Sequence, residues 1–310
     1  MKILVYGTGG VGGYLASKLW NAGHSVVCIA RGSHLAAMKQ NGLTLKGPEG
    51  DLVVKATFLD SPDGHPPFDL IIISVKSFDT HEAALRCRTV TGEQTAVLTI
   101  QNGVENEALL GSILGDGRII GGVAYIFSTI EGPGVIRHHQ GVTRFRIGEM
   151  DGNLSPRVKA LERTFLDAGI GCDAVGAMIK ILWEKFIFLA ALAGTTAHSR
   201  TSIGRILEDP SLHEMLSRAV HETAEVGRAA AIDAFEGIEA RAEANFGKMP
   251  AESTSSMYYD LTHGKRIEID ALSGAVVRLA RSFPVDVPTH ELIYRSLKSY
   301  AAPVPVPPSP

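Results

Sequence analysis

The chain opens on a strand that runs directly into a glycine turn. Ile3-Leu-Val-Tyr6 is apolar, Gly7, Gly9 and Gly12 follow at G-x-G-x-x-G spacing, and helix-forming residues begin at once. This order restricts the chain to α/β folds that bring a strand end to a helix N-terminus. Gly7 permits the tight turn, Gly9 lets a pyrophosphate approach the backbone, and Gly12 lets helix and strand lie close. The free N–H groups of the new helix and its positive dipole end suit phosphate. Gly7, Thr8, Gly9, Gly10, Val11 and Gly12 are therefore candidate cofactor-binding residues. The alternative is a turn with a structural role alone.

The second strand, Ser25-Val-Val-Cys-Ile-Ala30, ends in Arg31-Gly32. An NAD-binding unit places Asp or Glu near this point to hold the ribose hydroxyls. An arginine instead pairs bidentately with a 2′-phosphate, which a carboxylate would repel. Arg31 therefore points to NADP(H), the competing reading being a solvent-facing strand end.

Composition sets the outer limits. A chain of 310 residues is long for one core, and two domains are the natural expectation. A net charge of −3 gives no global field for nucleic acid. Cys28, Cys87 and Cys172 are odd in number and far apart, which suits reduced thiols rather than disulfides or a metal site. The first residues lack the basic stretch and cleavage site of a secretory leader, and the apolar run from Phe186 to Gly194 is too short to span a bilayer. A cytoplasmic protein with no membrane and no nucleic-acid partner is expected.

Strand and helix patterns alternate through the first half, which predicts a parallel sheet. Strands are expected at 52–58, 69–76, 95–100, 118–130 and 170–175. Residues 134–138 and 142–148 are expected to pair antiparallel around Gly141. Helices are expected at 11–21, 33–40, 80–88 and 155–168. From about 177 strands disappear, and helices are expected at 177–197, 211–231, 235–246, 253–262, 267–282 and 289–299. The predicted organisation is α/β, a Rossmann-type NADP-binding domain over 1–176, then an all-α substrate and catalytic domain over 177–302. A disordered proline-rich tail is expected over 303–310.

Open α/β sheets bind ligands beyond the carboxyl ends of their strands. Lys76 and Gln101-Asn102-Gly103 end two such strands and are candidate ligand contacts, although Asn-Gly also suits a plain turn. Lys185 lies in Ile181-Leu-Trp-Glu-Lys-Phe-Ile-Phe-Leu-Ala190, apolar on nearly every side. Lysine is almost never buried without a partner. It either snorkels or pairs with Glu184, or it is a desolvated general acid. The cluster Ser253 to Asp270 reads, taken alone, as helix capping.

Arg31-Gly32, Val75-Lys76-Ser-Phe-Asp79-Thr, Gln101-Asn102-Gly103, Trp183-x-Lys185 and Ser255-Ser256-Met-x-x-Asp260-x-x-x-Gly264-x-x-x-Glu268-Ile-Asp270 follow the glycine turn in this order. Together they resemble the ketopantoate reductase family over nearly the whole chain. The resemblance implies a Rossmann domain and a helical domain, with NADPH and a 2-oxo acid meeting in the cleft between them. It implies pyrophosphate binding at Gly7 to Gly12, 2′-phosphate binding at Arg31, and Lys76 and Asn102 along the cofactor and substrate side. It makes Lys185 the catalytic lysine, Ser256 a substrate contact and Glu268 a carboxylate near the nicotinamide. The family's best-known members carry asparagines four and eight residues after that lysine, where this chain has Leu189 and Ala193. The expected activity is NADPH-dependent reduction of a 2-oxo acid, ketopantoate or a close analogue, with a homodimer as the candidate assembly. The alternatives are a β-hydroxyacid or 6-phosphogluconate-type dehydrogenase, whose Lys-x-x-x-Asn pattern Leu189 breaks, and a non-catalytic NADP(H)-sensing protein.

Overall fold

The computed structural model describes residues 1–232 and 236–302. They fall into two units: Met1–Gln101 with Glu105–Ile179, and Asn102–Val104 with the chain from Lys180 onward.

The first unit runs β1 (Lys2–Tyr6), α1 (Gly10–Asn21), β2 (Ser25–Ile29), α2 (Gly32–Asn41), β3 (Leu43–Lys46), β4 (Leu52–Val54), β5 (Thr57–Leu59), β6 (Leu70–Ile73), α3 (Thr80–Cys87), β7 (Ala96–Thr99), α4 (Asn106–Leu114), β8 (Ile119–Tyr125), β9 (Ser128–Gly132), β10 (Val135–His138), β11 (Arg144–Glu149), α5 (Pro156–Asp167) and β12 (Cys172–Ala174). Strands β5-β2-β1-β6-β7-β8 form a parallel sheet, which β11 extends antiparallel to β8, with β12 parallel to β11. The strand order reverses direction at β1, which is the position where doubly wound sheets bind ligands. Alternation along β1 divides its side chains between two cores. Ile3 and Val5 join residues of α1 and α5, whereas Leu4 and Tyr6 join residues of α3 and α4.

A second sheet, β4-β3-β10-β9, lies against α1. It corrects three expectations. The predicted strand 118–130 is two strands in different sheets. Ile119–Val123 is buried as a central strand must be, whereas Ser128–Gly132 carries Thr129, Glu131 and an exposed Ile130. The predicted hairpin around Gly141 does not form. Strand β10 pairs with β3 and β9, while β11 pairs with β8 and β12. Ile136 of β10 covers Gly13 on α1, and Phe145 and Ile147 of β11 enter the main core, so each strand follows its own apolar partner. The predicted strand 52–58 is likewise divided, β4 joining the small sheet and β5 the main one. Helix α4 had no counterpart in the sequence expectation.

Among its described residues the second unit is helical: α6 (Met178–Ser199), α7 (Ile203–Glu208), α8 (Pro210–Ala229), α9 (Ile238–Phe246), α10 (Ser256–Thr262), α11 (Ser273–Ala280) and α12 (Pro288–Leu297). Local chemistry fixes the starts. The Asp209 carboxylate accepts from Ser211 N at 2.9 Å and Leu212 N at 3.2 Å, with Pro210 in the first turn of α8. Ser255 Oγ accepts from Tyr258 N at 3.0 Å to cap α10. Phe186, Ile187, Ala190, Leu216, Val220, Phe246, Val276 and Ile293 make the core. The expected helix 267–282 is broken: a 3₁₀ turn at Ile269–Ala271 precedes Leu272, whose φ of −108° and ψ of −102° interrupt it before α11. Helix α7 had no counterpart in the expectation. Part of the expected helix 235–246, at residue 235, and the tail 303–310 lie outside the described residues.

Candidate active site

The glycine turn joins β1 to α1. Gly7 has φ of +103°, a conformation that penalises a side chain, and its N–H donates to Ile29 O at 3.2 Å. Ser74 Oγ, just beyond β6, donates to Gly7 O at 2.8 Å. A Cβ at Gly12 would stand 2.1 Å from Gly7 O and one at Gly10 would stand 2.2 Å from Ser128 O. Protein therefore fills both of those directions. At Gly9, which precedes α1, a Cβ would meet nothing within 4 Å. No side chain caps α1 and its first turn carries no acid. Open space beside Gly9 and uncapped N–H groups fit a dinucleotide pyrophosphate. Val11 is half-buried, while Thr8 is buried and engaged within the protein at every polar atom: its hydroxyl and its N–H both donate to Ile29 O at 2.9 Å, and its carbonyl accepts from His34 Nε2 at 2.9 Å.

Arg31 lies two residues beyond β2 and immediately precedes α2. Its Nη2 donates to Asp79 Oδ2 at 2.8 Å. Asp79 belongs to the Val75–Thr80 motif, which by itself assigns it no role. Its composition marks it as a helix-start residue, but nothing local reveals that it meets an arginine 48 residues earlier. His34 ties the glycine turn to the loop before β10: its Nδ1 accepts from Gly134 N at 3.0 Å, so Nε2 carries the proton to Thr8 O at 2.9 Å. Burial lowers its pKa, consistent with this neutral tautomer.

Lys76 is half-buried between β6 and α3. The loop after β7 is held by Gln101, whose Nε2 donates to Val75 O at 2.9 Å and to Thr80 Oγ1 at 2.7 Å. Thr80 Oγ1 in turn donates to Asn106 Oδ1 at 3.2 Å. Gln101 thus ties the ends of two neighbouring parallel strands, a role that its polar character in a buried segment signals only once the strand order is known.

In the helical unit, Lys185 projects from α6 and its Nζ donates to Asn102 Oδ1 at 3.0 Å. Glu184, the alternative partner, is paired instead with Arg241 Nη2 at 3.1 Å. Trp183 and Phe186 meet edge to face at 5.6 Å and hold this stretch of helix in the core. Desolvation lowers the Lys185 pKa from 10.5 to about 8, against the negative charge of buried Glu268, which raises it. Asn102, Lys185 and Glu268 thus interact within one unit, although they come from three distant parts of the chain. Glu268 acts here on the lysine. Ser256 opens α10 and is exposed, its neighbour Ser255 having taken the capping position. Leu189, one turn beyond Lys185, is half-buried, whereas Ala193 is 1% exposed within the helical core. Among the described residues no group of His, Cys, Asp and Glu could hold a metal. Cys28, Cys87 and Cys172 are free and buried, with thiol pKa values pushed up to about 12 by burial.

A doubly wound sheet with a glycine turn at its first strand, followed by a helical unit with a desolvated lysine, is the plan of a nicotinamide-dinucleotide-dependent oxidoreductase, and the family comparisons assign the chain to that class. Residues 3–152 match the family "Ketopantoate reductase PanE/ApbA" and residues 177–301 match its C-terminal domain. The chain belongs to the ketopantoate reductase family. It is 32% identical over 306 residues to the 2-dehydropantoate 2-reductase of Aquifex aeolicus, covering 96% of each chain. A crystal structure of a PanE/ApbA family ketopantoate reductase from Ralstonia eutropha JMP134 superposes with a TM-score of 0.90 at 29% identity, covering 97% of this chain and 98% of that one. The fold is also that of a D-mandelate dehydrogenase solved with NADH and anilino(oxo)acetate, with a TM-score of 0.89 at 20% identity over 97% of this chain and 98% of that one. No helix among the described residues is long and apolar enough to cross a membrane.

Proposed function

We propose that this protein reduces a 2-oxo acid to the 2-hydroxy acid with NADPH, the substrate being ketopantoate or a close analogue. The observation that carries the reading is Lys185, held at 3.0 Å from Asn102 with its pKa lowered to about 8. An ammonium with that pKa is a competent acid near neutral pH. Lys185 polarises the C2 carbonyl and gives its proton to the alkoxide oxygen. Glu268 keeps the lysine charged until that transfer, and Asn102 aims it. The reduced nicotinamide, when bound, supplies the hydride. The glycine turn from Gly7 to Gly12 holds pyrophosphate, Arg31 and Lys76 meet the phosphate and ribose groups, and Ser256 contacts the substrate. Residues 1–176 are the proposed cofactor domain and 177–302 the proposed substrate domain, with Asn102–Val104 grouping with the latter.

Leu189 supports a less polar substrate than ketopantoate. It lies one helical turn from Lys185 and cannot hydrogen-bond a hydroxyl. The experiment is a survey of NADPH oxidation with ketopantoate, its analogue lacking the hydroxyl, and phenyl-substituted 2-oxo acids. Turnover of at least one supports the reading. NADPH binding without turnover of any 2-oxo acid would return the chain to the sensor alternative.

A further inference from the structure

The arginine assigned to the 2′-phosphate is already engaged. Arg31 Nη2 stands 2.8 Å from Asp79 Oδ2, with side-chain exposures of 80% and 22%. Asp79 occupies the position before α3, where an aspartate commonly caps its own helix, yet its side chain makes no capping bond. The carboxylate is turned to the guanidinium instead. Resting on the assignment of Arg31 to the 2′-phosphate, we infer that Asp79 is the second half of the cofactor selector and restrains the preference for NADPH over NADH.

Two effects act in the same direction. Asp79 competes for the guanidinium that a 2′-phosphate must recruit. Its negative charge also remains beside that phosphate once the arginine has moved to it. With NADH neither penalty arises, because a ribose hydroxyl can donate to a carboxylate, as it does to the acid at the end of the second strand in NAD-binding units. Arg31 and Asp79 therefore favour the phosphorylated and unphosphorylated ribose respectively. Neutralising either one moves the preference toward the cofactor that the other favours. Most of Arg31 faces solvent, so the effect is modest and falls with salt.

The test is direct binding of NADPH and NADH, read by fluorescence titration of Asp79→Asn and Arg31→Ala in low and high salt. No substrate is required. Asp79→Asn is expected to raise the ratio of NADPH to NADH affinity by about two- to fivefold at low salt, with a smaller gain at high salt. Circular dichroism of the variant checks that α3 is retained. An unchanged ratio, or one that moves toward NADH, overturns the inference, the latter meaning that Asp79 orients Arg31 for the phosphate. Arg31→Ala reports separately on the underlying assignment. If it weakens NADPH and NADH equally, Arg31 does not bind the 2′-phosphate and the proposed cofactor site fails on its own account.

Discussion

Lys185 Nζ and Asn102 Oδ1 stand 3.0 Å apart, joined across 83 positions of sequence. Asn102 follows β7, in a segment that groups with the helical unit. The lysine is thus aimed by a side chain from a loop that interrupts the Rossmann unit. Losing the amine should be felt in the chemical step. Lys185→Ala is expected to retain its fold and cofactor affinity while kcat falls about 10²-fold or more. Near wild-type turnover would reduce Lys185 to a packing residue.

The same lysine sets a pH limit. Its pKa is lowered from 10.5 to about 8 by desolvation, with Glu268 opposing that fall. The acid form is needed for reduction, so kcat should be level below about pH 8 and decline above it. Removing the opposing charge lowers the pKa further, and Glu268→Gln should move the alkaline limb to lower pH. Profiles of the wild type and E268Q that share one limb would detach the lysine from the rate.

Two neighbouring glycines separate open space from protein space. A Cβ at Gly9 meets nothing within 4 Å, whereas one at Gly10 would stand 2.2 Å from Ser128 O of β9. Gly9→Ala should leave the melting temperature within a few degrees and weaken dinucleotide binding. Gly10→Ala must push the second sheet away from α1, an overpacking that costs about 1–3 kcal/mol. Thermal melts with and without NADPH distinguish the two, and a destabilised G9A with normal cofactor affinity contradicts the assignment of that space.

Glu107 is a liability within the first unit. Both of its carboxylate oxygens are buried without a hydrogen-bond partner, and burial raises its pKa to about 7. Between the ordinary carboxylate range and pH 7 the folded form keeps a proton that the unfolded form releases, so stability falls as pH rises through that window. Glu107→Gln should raise the melting temperature at pH 8 by several degrees and change it less at pH 4.5. An equal change at both values would show that ionisation of Glu107 is not the cause.

Substrate choice can be probed at Leu189. Replacing it with Asn puts a hydrogen-bonding group one turn from Lys185. Leu189→Asn should improve kcat/KM for ketopantoate relative to the analogue lacking its hydroxyl, by about two- to tenfold for one neutral hydrogen bond. No change in that ratio would place Leu189 away from the substrate chain.

Local signals in the sequence determined a good deal. The strand, glycine turn and helix at residues 3–16 were legible because Gly7 and Gly12 answer local backbone and contact demands, seen in the φ of Gly7 and the close approach at Gly12. The anomaly of Lys185 was legible too, because a charge in an apolar helix must find a partner. Which partner it finds was decided by tertiary structure: Asn102 holds the lysine, while adjacent Glu184 turns to Arg241. The pairing of Arg31 with Asp79, the division of residues 118–130 between two sheets and the separate destinations of β10 and β11 were also beyond local reading. A strand's alternation fixes which face is apolar but does not specify its neighbour, and a side chain's chemistry fixes the kind of partner without saying where in the chain it lies. Both choices are made when distant segments compete for the same buried surface, and only the folded chain records the outcome.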